Sequence, residues 1–141
     1  SGLMSVQRIA FSVQEDLKTA SFRDLIVWQK SYQLAIEVYN LMQSVTHSRV
    51  SGLDHQMRRS AVSIPSNIAE GYGRQYNKEY KQFLWVAYGS LCELETQYML
   101  ICDLGISKGS SRVEQLLKEV GKMLYRMLHP VRSTLNADRY K

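Results

Sequence analysis

The side chains that could support a reaction are few, and their spacing argues against a reaction centre. The three histidines are His47, His55 and His129. A di-iron site in a helical protein needs Glu-x-x-His pairs facing inward, but the residues three places before these histidines are Ser44, Gly52 and Arg126. Cys92 and Cys102 form no Cys-x-x-Cys zinc pattern. Lying ten residues apart on one helix, they would be separated by about 15 Å and could not bridge. Glu93 and Glu95 are two apart and point in different directions on a helix. No Gly-x-x-x-x-Gly-Lys phosphate loop occurs, and Gly71-Tyr-Gly73 lacks the strand and later glycine of a dinucleotide site. The histidines fit no nucleophilic triad. These residues predict no catalysis, no metal and no cofactor.

Binding chemistry is better represented. The net charge is +5, and it is unevenly spread. Residues 1–107 carry ten basic and ten acidic side chains, whereas residues 108–141 carry eight basic against three acidic. Lys118, Lys122 and Arg126 follow at i, i+4 and i+8, a stripe suited to a phosphate backbone and also compatible with an ordinary solvated helix face. A second basic stretch, Gly71–Lys81, interleaves Arg74, Lys78 and Lys81 with Tyr72, Tyr76 and Tyr80, which are the ingredients of base stacking with phosphate contact. Its alternative is structural, with Tyr72 and Tyr80 capping a core and Gly71 and Gly73 ending a helix.

The elements that must hold these side chains are helices. Ser21-Phe-Arg-Asp24 reads as a capping box, followed by a stripe of Leu25, Trp28, Tyr32, Ala35, Tyr39 and Met42. A second segment, Leu53 to about Tyr72, aligns Leu53, Met57, Ala61, Ile64 and Ile68, with a kink or break expected at Pro65. The third, Asn77–Leu104, carries Tyr80, Leu84, Ala87, Leu91, Leu94, Tyr98 and Ile101, and Gly105 supplies a stop. The fourth begins with a second capping box, Ser111-Arg-Val-Glu114, and carries Val113, Leu117, Val120, Leu124, Met127 and Val131, with Pro130 expected to bend its last turns. Four long helices with short linkers and no strand pattern predict an all-α, antiparallel up-down four-helix bundle. The expected divisions are an expression scar and N-terminal extension at 1–21, the bundle at 22–136 and a tail at 137–141. A content of 45% apolar and 22% charged residues excludes a disordered chain. No run of about 18 apolar residues is present, so no membrane contact and a cytoplasmic location are expected.

Surface residues add a further expectation. Opposite the Leu91 stripe, the third helix carries Trp85, Gly89, Cys92, Thr96 and Leu100, small or apolar where an isolated bundle would place Lys and Glu. Val27, Leu34, Val38, Leu41 and Val45 widen the apolar arc of the first helix. These faces predict self-association. The alternative is that these helices sit deeper in the bundle, a lopsided one with the N-terminal arm folded over the extra surface. Arg58, Arg59, Asn67, Glu70, Glu93 and Glu95 read as structural polar residues, with Arg58 or Arg59 expected to pair with Glu93 or Glu95.

Four stretches carry a family likeness: Phe22-Arg-Asp-Leu-Ile-Val-Trp-Gln-Lys30, Gly52-Leu-Asp-His-Gln-Met-Arg-Arg59, Ser63-Ile-Pro-Ser-Asn-Ile-Ala-Glu-Gly-Tyr-Gly-Arg74 and Gly89-Ser-Leu-Cys-Glu-Leu-Glu-Thr96. They resemble the four-helix proteins encoded in bacterial 23S ribosomal RNA intervening sequences. That family is similar to the accessory protein of diversity-generating retroelements, which works beside a reverse transcriptase. The resemblance implies a ring-forming homo-oligomer, most simply a pentamer, with basic outer surfaces suited to RNA or DNA and no known catalytic residues. The expected function is therefore non-enzymatic nucleic-acid binding, as an RNA chaperone or reverse-transcriptase accessory. The alternative is a protein-interaction scaffold that does not touch nucleic acid.

Overall fold

The computed structural model describes residues 21–45, 51–74 and 76–130. It contains four α-helices and no strand among the described residues: α1, Ile26–Gln43; α2, Ser51–Tyr72; α3, Asn77–Asp103; and α4, Ser111–Leu128. Each helix packs on its chain neighbour, and α1 also packs on α4. The first and last elements therefore close one shared core. The N-terminal extension, residues 131–141 and Val131 with them lie outside the described residues.

α3 forms as its spacing dictates. Leu84, Ala87, Leu91, Leu94, Tyr98 and Ile101 are buried, along with Met57, Ala61, Ile64 and Ile68 of α2 and Val113, Leu117, Val120 and Leu124 of α4. α3 then stops by a Schellman motif. The Gly105 amide donates to the Cys102 carbonyl at 3.0 Å and Ile106 to Ile101 at 2.9 Å. Gly105 itself adopts a φ of 71° that L side chains avoid.

Five local expectations change. The capping box at Ser21 and Asp24 is present, but it caps a 3-10 turn over Phe22–Asp24, and the α-helix begins after it. α1 is rotated relative to its expected stripe. Val27, Ser31, Leu34, Val38 and Met42 are buried, while Tyr32 and Tyr39 are exposed and Trp28 and Ala35 half-buried. Two apolar stripes compete on this helix. The aliphatic one fills the interior, leaving the phenol hydroxyls of the other in water. α2 runs unbroken through Pro65; proline removes one helical hydrogen bond, and the apolar residues buried on either side hold the helix together. At α4, Ser110 rather than Ser111 is the N-cap, accepting from the Val113 amide at 3.2 Å. The helix ends at Leu128, ahead of Pro130, because a residue preceding proline is pushed out of helical geometry; His129 has φ −127° and ψ 71°.

Candidate functional site

α4 turns its apolar stripe inward and leaves Lys118, Lys122 and Arg126 exposed, with no ion pair among the described residues. Their isolation has a local cause. The two carboxylates of α4 are engaged elsewhere: Glu119 pairs with Lys30 of α1 at 2.5 Å and accepts from Gln115 at 2.7 Å, and Glu114 accepts from the Tyr98 hydroxyl at 2.9 Å. The Lys30 hydrogen bond, aided by Gln115, holds the Glu119 carboxyl below its ordinary range. With the acids tied to neighbours, the cations project uncompensated toward solvent.

The second basic stretch divides. Arg74 is paired with Glu70 at 2.7 Å and lies over the Phe83 ring at 5.2 Å, so much of its charge is met within the chain. Lys78 and Lys81 are exposed, again without an ion pair among the described residues. Tyr72 and Tyr80 meet edge to face at 6.2 Å, and burial, with Tyr72 adding to it, pushes the Tyr80 hydroxyl above its ordinary range. These two tyrosines take the structural alternative, while Tyr76 is exposed.

The outer stripe of α3 is open. Cys92 and Thr96 are exposed, Leu100 is 46% exposed and Met99 62%, and the space over Gly89 is empty for 4 Å. Thr96 satisfies its hydroxyl on the Cys92 carbonyl at 2.8 Å. Partial burial, followed by the Glu95 charge, pushes the Cys92 thiol up, which disfavours the nucleophilic thiolate. Trp85, at one end of the stripe, is drawn into an aromatic cluster with α4. Its ring lies 6.1 Å from Tyr88 and 5.5 Å from His129, and Tyr125 stacks on His129 at 4.2 Å.

The polar residues of α2 do not make the expected inter-helix pair. Arg58 reaches back one turn to Asp54 at 2.6 Å and covers the Tyr39 ring at 4.6 Å, and Arg59 is exposed. Glu93 accepts from Gln97, and Glu95 faces Gly121, its carboxyl pushed up by desolvation. A partner within one turn of the same helix costs Arg58 less ordering than one on a neighbouring helix. The α2–α3 contact is made instead by small hydroxyls, Ser63 and Ser90 at 2.8 Å, with the Asn67 amide donating to the Ser63 carbonyl and hydroxyl at 2.7 and 2.9 Å.

One feature is not evident from helical spacing alone. A groove of about 570 Å³ runs between α1 and α2, lined by Phe22, Trp28, Tyr32, Tyr39, Val62 and Pro65 among others. Its sequence signal is the second apolar stripe of α1, whose spacing is equally that of a core stripe. No group of three metal-ligating side chains occurs among the described residues, and no described helix is long and apolar enough to cross a membrane.

The fold has a solved counterpart. A protein of unknown function from the S23 ribosomal protein family of Bacteroides thetaiotaomicron VPI-5482 superposes with a TM-score of 0.65 at 22% identity, covering 74% of this chain and 99% of that one. No curated protein matches the chain. The model of the 23S rRNA-intervening sequence protein family matches residues 23–126, the interval that holds α1, α2, α3 and nearly all of α4. By that match the chain belongs to the 23S rRNA-intervening sequence protein family.

Proposed function

We propose that the protein is a non-enzymatic, antiparallel up-down bundle that associates with itself into a ring, most simply a pentamer, and binds the backbone of RNA or DNA. Lys118, Lys122 and Arg126 form the main contact, with Lys78 and Lys81 extending it and Arg74 secondary because Glu70 already holds it. Of the outer α3 stripe, Gly89, Cys92, Thr96 and Leu100 form the contact between copies, while Trp85, turned to Tyr88 and His129, stands outside it. The observation that carries the reading is the uncompensated α4 stripe, whose neighbouring carboxylates are committed to Lys30, Gln115 and Tyr98. The family description supports an RNA-related context, within which nucleic-acid chaperoning or service to a reverse transcriptase would use such a surface.

Titration with RNA, duplex DNA and an RNA–DNA hybrid over a range of salt tests this. Affinity is expected to fall steeply with salt and to vary little with sequence. Lys118→Glu with Lys122→Glu and Arg126→Glu is expected to abolish binding while leaving helix content and melting temperature intact. Undiminished binding by that variant overturns the assignment. The groove between α1 and α2 favours a second reading, a scaffold that seats a protein segment on Trp28, Tyr32 and Tyr39; absence of all nucleic-acid binding at low salt would select it.

A further inference from the structure

We infer that the Trp85–Tyr88–Tyr125–His129 cluster is a stacking site for unpaired bases, which makes single-stranded nucleic acid the preferred ligand. This deepens the proposed backbone binding and rests on it. Four rings, from α3, α4 and the residue that caps α4, form one continuous group: Trp85 with Tyr88 at 6.1 Å, Tyr88 with Tyr125 at 6.5 Å, Tyr125 with His129 at 4.2 Å and His129 with Trp85 at 5.5 Å. Tyr88 is half-buried against the core and anchors the group, and a fully buried cluster would offer no π face to a ligand. Here Trp85 is 46% exposed and Tyr125 52%, and His129 is exposed as well. The Trp85 plane stands at 90° to His129, whereas Tyr125 lies within 27° of it. The exposed indole and phenol are therefore set steeply to each other, offering two π surfaces rather than one flat plate.

The placement of charge identifies the occupant. At about 100° per residue, Lys118, Lys122, Tyr125 and His129 fall within an arc of about 60° on α4, and Lys78, Lys81, Trp85 and Tyr88 within about 80° on α3. Contacts between these helices run in opposite order. Tyr98 meets Glu114, Leu91 the position of Gly121, Tyr88 meets Tyr125 and Trp85 meets His129. Lys78 and Lys81 therefore lie beyond one end of the rings, and Lys118 and Lys122 beyond the other. Helical rise makes the whole strip roughly 27 Å long. Cations at both ends with rings between them match a single strand, whose phosphates the lysines take while its bases turn onto the rings. A duplex keeps its bases stacked on each other and can use only the lysines. An acidic peptide would meet the cations but would leave the rings unused.

The test measures binding of short oligouridylate, oligothymidylate and a duplex of equal length to the intact protein, its oligomers verified by mass. In a Trp28→Phe background the remaining tryptophan is Trp85. Both single strands are expected to quench its fluorescence on binding, and the duplex much less. Trp85→Ala and, independently, Tyr125→Ala are expected to weaken single-strand binding about tenfold while leaving duplex binding unchanged. Tyr125→Phe, which keeps the ring, is expected to bind as the parent does. If the alanine variants bind both forms as before, or lose both equally, the stacking site is overturned while backbone binding stands. If the parent protein binds none of the three probes, both readings fall. A larger effect on oligouridylate than on oligothymidylate would identify RNA as the source of the bases, and the converse would identify DNA.

Discussion

At the scale of single residues, Tyr98 shows how one hydroxyl can organise a junction. It donates to Glu114 at 2.9 Å and accepts from the Ser110 amide at 2.7 Å. It also lies so close to Gly109, held at a φ of 83°, that an added Cβ there would come within 2.6 Å. Burial, with the Glu114 hydrogen bond assisting, raises its pKa to about 12 from 10.0. The folded state thus prefers the protonated phenol, so this contribution is complete below pH 10 and is lost as pH rises from about 10 to about 12. Tyr98→Phe is expected to cost about 1–2 kcal/mol in denaturant melts at neutral pH and to flatten the alkaline part of the stability profile. A parent-like midpoint would show that Ser110 and Glu114 do not depend on it. None of this was legible in the sequence, where Tyr98 read simply as core. Periodicity reports which way a side chain points and is silent about which backbone amide waits at its tip.

Individual helices were legible to the extent that their patterns were unambiguous. α3 and α4 each carry one core stripe: Leu84, Ala87, Leu91, Leu94, Tyr98 and Ile101 are buried on α3 and Val113, Leu117, Val120 and Leu124 on α4, Tyr80 and Met127 are half-buried, and Val131 lies outside the described residues. α1 carries two, and choosing between them depends on the shape of the neighbours, information that one-dimensional spacing lacks. The same limit hides a second role of Gly71. As one of the two glycines at the end of α2 it lies in the last helical turn, where an added Cβ would come 2.7 Å from the Phe83 Cβ and 3.2 Å from the Tyr80 carbonyl. Both of those atoms are held by the α3 backbone and cannot swing away. Gly71→Ala gains up to about 1 kcal/mol of helix propensity but must separate α2 from α3. We expect a net loss of about 1–2 kcal/mol by thermal or chemical denaturation. An unchanged or raised melting temperature would mean that the helices part without cost at this crossing.

For the whole molecule, the decisive question is whether a second copy covers the outer face of α3. Gly89 separates two answers because nothing lies within 4 Å of its Cβ position. If this face joins copies, Gly89→Arg is expected to reduce the assembly to a species of about the chain mass of 16.3 kDa in light scattering, without loss of helix content. A parent protein that already runs at that mass at micromolar concentration would remove the ring from the proposal. The small and apolar character of this face was visible in the sequence, since exposure opposite a clear core stripe needs only helical geometry. The aromatic cluster was not, because Trp85 and Tyr125 are forty residues apart and meet only once α3 and α4 pack.

The packing of α1 against α4, tied by Lys30 and Glu119 across 89 positions, has a consequence during synthesis. Until α4 leaves the ribosome, the side of α1 that it covers has no partner. At about 5–20 residues per second, the roughly one hundred residues from α1 to the end of α4 take on the order of 5–20 s to emerge. For that interval the growing polypeptide carries an uncovered oily flank beside sister chains on the same message, which gives translation speed a direct influence on whether each chain closes on itself or exchanges a helix with its neighbour.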